Sequence, residues 1–280
     1  MHYSTLVPLQ PAGGKTPVFF VPGMQGNPLM LLPLVQQLNI NRPFYGLRSL
    51  GLNECIPPYT DISQIAAYHI VSLQAVQPTG PYIIGGYSFG GRVAFEITRQ
   101  LLVQGHAVKK LIILDIPLID SKPNTMSAWP DARFRYEFAN SYGSGSDFNW
   151  QYTEFSVLRP KQQIRCIAQH MKKCGVSLGL SEIVTLAGVY QANLTSYANY
   201  VAPKVTLTIP VNLIRVDEVG VFPFLPDTEF STQYPLWGWE QFSTYPIEYD
   251  QMSGNHYTMI NVPHVISLAK CITHCLHNVN

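Results

Sequence analysis

Short runs of β-branched and aromatic residues alternate with longer stretches in which apolar residues return every three or four positions. The runs Pro17–Val21, Phe44–Leu47, Tyr82–Gly86, Leu111–Asp115 and Val211–Val216 are nearly uniformly apolar, the pattern of strands covered on both faces. Pro246–Tyr249 reads as a last strand. Helical spacing is predicted over residues 28–38 despite Pro33, over 62–76 behind an Asp61 N-cap, over 91–103 up to Gly105, and over 262–274 with Pro263 in the first turn. This order predicts an α/β fold with a mostly parallel central sheet flanked by helices. After Asp115 the rhythm changes. Residues 120–203 hold no strong buried strand, and Pro123, Pro130 and the Gly143–Ser146 stretch mark loops. Helices are predicted near 130–140, 160–173 and 181–198, so this segment is expected to be a helical lid inserted into one domain of residues 1–280.

Composition narrows the classes. The chain has 280 residues, 46% of them hydrophobic, and a net charge of +1, without the basic excess of a nucleic-acid binder. Only 12% of residues are charged, against roughly 25% in an average protein, so the surface must be rich in neutral polar groups. No apolar run approaches the ~18 residues of a membrane span. The first residues lack the basic and apolar regions of a secretory signal, so a cytoplasmic protein is expected. The five cysteines, Cys55, Cys166, Cys174, Cys271 and Cys275, are an odd number and read as free thiols. Cys271, His274, Cys275 and His277 crowd the last helix, where the plain reading is two small apolar cysteines and two solvated histidines rather than a metal site.

Gly86-Tyr87-Ser88-Phe89-Gly90 is a G-x-S-x-G pentapeptide at the end of a predicted strand and the start of a predicted helix. That setting defines a nucleophile elbow, in which glycines flank a serine on a tight strained turn. A serine needs a base to become a nucleophile. Of eight histidines, His256 alone lies in a loop directly after a C-terminal strand, where the order nucleophile, acid, histidine requires it. The acid that orients the imidazole is Asp115 or Asp217, both of which close predicted strands. Spacing does not choose between them. Asp115 follows a purely apolar strand and would be buried, which demands a partner, whereas Asp217 sits beside Arg215 and Glu218. An oxyanion hole is expected from the backbone N–H groups of Phe89, after the serine, and of Met24, in the Pro22–Gly26 turn after the first buried strand.

These residues carry a family resemblance. Leu6–Pro11, Pro17–Gly23, Arg42–Leu47, Ile65–Tyr68 and Val76–Glu96 resemble the thioesterase domains of polyketide synthases, nonribosomal peptide synthetases and animal fatty acid synthase. The likeness continues at Leu114-Asp115, Gly238-Trp239 and Gly254-Asn255-His256. The resemblance implies an α/β-hydrolase fold and selects Asp115 as the acid. It implies an acyl-Ser88 intermediate formed from a thioester on the phosphopantetheine arm of a carrier protein. It implies no bound cofactor, and a carrier domain or synthase module as partner. Release would occur by hydrolysis or cyclisation, from a stand-alone protein or an excised domain. An esterase or lipase acting on free oxyesters is the competing reading, and a silent scaffold the third. Residues 157–180 carry Arg159, Lys161, Arg165, Lys172 and Lys173 and no acidic residue, which reads either as a solvated helix face or as a docking surface for an acidic carrier.

Overall fold

A computed structural model describes residues 5–53, 56–119, 126–142, 148–218 and 228–277. Cys55, Pro123 and the Gly143–Ser146 loop lie outside the described residues.

The chain opens with β1 (Leu6–Gln10) and β2 (Val18–Val21), then a 3-10 turn at Pro28–Leu31 leading into α1 (Leu32–Gln37). The predicted helix over 28–38 is thus two pieces. Pro33 falls in the first turn of the second, where a missing N–H costs nothing. β3 (Phe44–Leu47), α2 (Ile62–Gln74), β4 (Tyr82–Tyr87), α3 (Phe89–Val103) and β5 (Val108–Leu114) follow. Asp61 caps α2 as predicted, its carboxylate accepting from the Gln64 N–H at 2.9 Å. Then come α4 (Asp131–Asn140), α5 (Tyr152–Ser156), α6 (Pro160–Lys173) and α7 (Leu180–Asn199), before β6 (Val211–Val216), α8 (Thr228–Gln233), β7 (Glu248–Met252) and α9 (His264–His277).

Among the described residues the sheet has seven strands, ordered β1-β3-β2-β4-β5-β6-β7, and only β1 runs antiparallel, at one edge. Two expectations shift here. β1 is an additional strand, and the last strand begins two residues later than predicted and ends at Met252, because its polar edge sequence Glu248-Tyr249-Asp250-Gln251 carries little pattern. Side chains alternate across the sheet with period two. Phe19, Ile84, Ile113 and Leu213 face α2 and α3, while Phe20, Ile83, Ile112 and Ile214 face α1 and α9. This is the α/β-hydrolase architecture.

Helices α4 to α7 leave the sheet after β5 and return to it at β6. Their apolar faces, with Phe134, Phe138, Ile167, Tyr190 and Tyr197, join the same core as Val93 and Phe95 of α3. The base of this insertion is also pinned by charge. Glu96, fully buried, accepts from Arg99 at 2.7 and 2.9 Å, from Gln100 at 2.8 Å and from the Tyr200 hydroxyl at 3.1 Å. Burial alone would raise its pKa, but the Arg99, Gln100 and Tyr200 donors outweigh burial and hold it below 4.5. The stability Glu96 contributes is therefore present above its unfolded value and is lost as pH falls through the lower folded one. Glu96→Gln should lower the melting temperature near neutral pH. The gap to wild type should narrow as pH falls below the ordinary carboxylate range, which a set of thermal melts would measure.

Candidate active site

The turn between β4 and α3 has the strain that the pentapeptide predicts. Ser88 sits at φ 56°, ψ −132°, a conformation costing roughly 1–3 kcal/mol for a non-glycine residue. Its flanks can only be glycine. A Cβ on Gly86 would lie 2.0 Å from the Gly90 carbonyl oxygen, and one on Gly90 would lie 2.3 Å from that of Val21. The turn is held from the sheet side by the Ser88 N–H, which donates to Leu114 O at 2.9 Å.

Around Ser88 three elements converge. The His256 Nε2 lies 2.8 Å from Ser88 Oγ, and its Nδ1 lies 2.7 Å from Asp115 Oδ2. Asp115, fully buried and at φ 51° just past β5, also accepts from the Val216 N–H at 3.1 Å through Oδ1. Both carboxylate oxygens are thus engaged, which a buried anion requires. Ser88 and His256 are each only 4% exposed. A hydroxyl, an imidazole and a carboxylate so connected can pass the serine proton to Nε2 while the carboxylate fixes the tautomer with its proton on Nδ1.

Asp217 stands elsewhere. It is exposed, and its Oδ1 accepts from the Gly254 N–H at 3.0 Å, two residues before His256. It braces the histidine loop and does not touch the imidazole's partner position, which Asp115 occupies. Asn255 braces the same loop. Its Oδ1 accepts from the N–H groups of Tyr257 at 3.1 Å and Thr258 at 3.0 Å. His264, at the first position of α9, lies 3.4 Å from the Ser253 hydroxyl.

Tyr87, the residue before the serine, escaped the sequence reading. Its hydroxyl donates to the His256 carbonyl at 2.6 Å, and its ring stacks on the imidazole with centroids 5.2 Å apart. Burial, with the Asp115 charge adding to it, pushes the phenol above its ordinary pKa, so it stays a donor. Nothing in the pentapeptide distinguishes this side chain, because its partner is 169 residues away.

A cavity of about 340 Å³ opens above Ser88. Met24, Tyr87 and His256 line it from the sheet side, and Tyr142, Cys174 and Tyr190 from the insertion. Met24 lies in the turn after β2, closed by the Gly26 N–H donating to Gly23 O at 2.8 Å. Phe89 is the first residue of α3, where N–H groups have no acceptor within the helix. Its side chain packs into the core below the cavity.

The basic residues of segment 157–180, Arg159, Lys161, Arg165, Lys172 and Lys173, are all exposed on or beside α6. Lys161 and Arg165 edge a second concavity of about 510 Å³ between α6 and α7, with Ile164, Val184 and Ala187 along it and no acidic side chain among its lining residues. Among the described residues, no group of three or more His, Cys, Asp or Glu could hold a metal ion. Cys166, Cys271 and Cys275 are free thiols, and Cys174 Sγ lies 3.7 Å from His170 Nε2. Burial pushes the Cys275 thiol up to about 12. No described helix is long and apolar enough to cross a membrane.

Comparison with known proteins gives one family. The model described as "Thioesterase domain" matches residues 16–274. An atromentin synthetase of Tapinella panuoides is 25% identical over 269 residues, which is 96% of this chain but 28% of that protein. An indigoidine synthase of Dickeya dadantii is 43% identical over 111 residues, covering 40% of this chain and 8% of the synthase. The chain therefore spans less than a third of the length of these relatives. In fold, it is similar to the Vlm2 thioesterase domain bound with a dodecadepsipeptide, with a TM-score of 0.72 and 21% identity over 96% of each chain.

Proposed function

Because the chain belongs to the thioesterase-domain family, we propose that it is a serine thioesterase that releases an acyl, polyketide or peptidyl chain from the phosphopantetheine arm of a carrier protein. One observation carries the reading: a serine on a strained elbow hydrogen-bonded to an imidazole that a buried carboxylate orients. The Ser88 proton passes to His256 Nε2 as Oγ attacks the thioester carbonyl. The resulting oxyanion is held by the N–H groups of Met24 and Phe89. Collapse expels the pantetheine sulfur, which takes the proton back from His256, and leaves an acyl-Ser88 ester. Water, or a hydroxyl or amine of the acyl chain itself, then gives its proton to His256 as it attacks the ester, and collapse expels Ser88 Oγ, which takes that proton back from His256. Hydrolysis and cyclisation differ only in that second nucleophile. The domain uses no resident cofactor, since the pantetheine arrives with the substrate. The α4–α7 insertion is the lid that walls the acyl cavity and limits water.

The test is a panel of acyl-pantetheine thioesters run against p-nitrophenyl esters of the same acids, with fluorophosphonate labelling mapped to Ser88. Higher kcat/KM on the thioesters supports the reading. Preference for the oxyesters would make the chain a carboxylesterase instead, and an unlabelled Ser88 would make it a silent fold.

The basic face of α6 is the docking surface for the acidic carrier. Charge reversal at Lys172 with Lys173, or at Lys161 with Arg165, should weaken capture of a carrier-bound thioester by about 3- to 10-fold in kcat/KM, because edge charges act mainly on encounter. Turnover of the free acyl-pantetheine should not change. Equal rates of wild type and both charge-reversal variants on the carrier-bound substrate would remove this surface from the model of docking.

A further inference from the structure

The turn that carries Met24 is fastened to the insertion as well as to the sheet. On the sheet side, the Ser49 N–H donates to Gly26 O at 2.9 Å. From α7, the Asn193 amide, 2% exposed, donates through Nδ2 to Met24 O at 2.9 Å and lies 3.1 Å from Ser49 Oγ. From the end of α4, Ser141 offers its carbonyl and its hydroxyl, each 3.0 Å from Gln25 Nε2. The residues on either side of the Met24–Gln25 peptide bond are thus gripped by two different helices of the insertion.

We infer that Asn193 is a positioning residue for the oxyanion-binding turn, with Gln25 as its second fastening, and that the turn holds its working shape only while the insertion is seated. The inference rests on the reading above, in which the Met24 N–H meets the oxyanion. Fixing the Met24 carbonyl fixes the rotation of the peptide after Met24 and restrains the one before it, whose N–H is the donor. Aim matters at that place, since a donor stabilises the transition state only when it is already directed at the developing charge. A buried amide bonded to a carbonyl satisfies two polar groups in any case. The two roles differ in what their loss does: a purely structural amide affects how many molecules fold, whereas a positioning amide affects how fast each folded molecule turns over.

Asn193→Asp removes both Nδ2 protons at nearly constant volume, and Asn193→Leu replaces the amide with an apolar group of similar size. In each variant the reactive serines are counted by labelling to completion with a fluorophosphonate, and kcat is expressed per labelled site. Both should lose about tenfold or more in kcat on an acyl-pantetheine thioester with KM unchanged, less than the 10²–10³ that removal of a whole donor costs. Ser49→Ala keeps the bond from Asn193 to Met24 and the backbone bond from Ser49 N–H to Gly26 O, and should stay within about twofold of wild type in kcat per labelled site. Should the Asn193 variants yield no labelled sites, Gln25→Leu, whose bonds lie at the partly buried end of α4, decides the matter through the same ratio. A kcat per site equal to wild type in the folded variants overturns the inference. A wild-type chain that turns over p-nitrophenyl esters but no thioester refutes the substrate reading alone, and the same ratio measured on the ester still tests the fastening.

Discussion

Replacing Ser88 with alanine should abolish fluorophosphonate labelling and lower thioester turnover by about 10⁴-fold or more, with the melting temperature unchanged or raised. The size follows from the role. Removing the nucleophile of a serine relay costs up to about 10⁶ in kcat, and what remains comes from binding and the oxyanion donors. The direction of the stability change follows from the backbone. Ser88 is held at φ 56° and ψ −132° by its surroundings, so the strain stays in the variant, while a buried hydroxyl is no longer confined. His256→Ala should match the loss of turnover, because the two side chains act as a unit and their effects do not add. A Ser88→Ala chain that retains thioester turnover within tenfold of wild type would mean that another group does the chemistry.

The second large effect separates two aspartates that composition and spacing leave level. Asp115→Asn should lower kcat by about 10⁴-fold, since an amide at that place favours the wrong imidazole tautomer while preserving the shape of the site. Asp217→Asn should cost far less. Its carboxylate accepts one backbone N–H from Gly254, which an amide oxygen also accepts. A steady-state comparison of the two variants on one thioester gives the answer. Comparable losses would mean that the histidine loop, and not the carboxylate bonded to the imidazole, limits the reaction.

The two aspartates also mark where reading the chain stops. The elbow was legible because strand, glycine-flanked serine and helix are contiguous, and each is a local signal. His256 was legible by its place after a strand, although that strand lies two residues further along than its weak polar pattern indicates. Asp115 and Asp217 both end strands on the same sheet edge, so their difference is which of two neighbouring strands the histidine loop overhangs. That is a property of the crossover, not of any segment. β1 was missed for a different reason. It is half-buried, carries Pro8 and pairs on one side only, so it shows neither continuous burial nor clean alternation. Tyr87, Gln25 and Asn193 were invisible because each meets backbone more than a hundred residues distant, and such a bond leaves no period in a sequence.

The insertion departs and rejoins at adjacent strands, with Leu114 paired to Ile214. Ser88 and Asp115 lie before it in the chain and His256 after it, so the whole of α4 to α7 is an interlude between fixed points about one strand spacing apart, roughly 4.8 Å. A segment of another length or shape can be transplanted there without moving any of the three converging side chains, which on the proposed function makes it the natural place for a new acyl specificity to be written. The transplant has two obligations besides fitting: it must bring a donor to the spot that Asn193 occupies and an acceptor to that of Ser141, or the recipient will accept its new substrate and process it slowly.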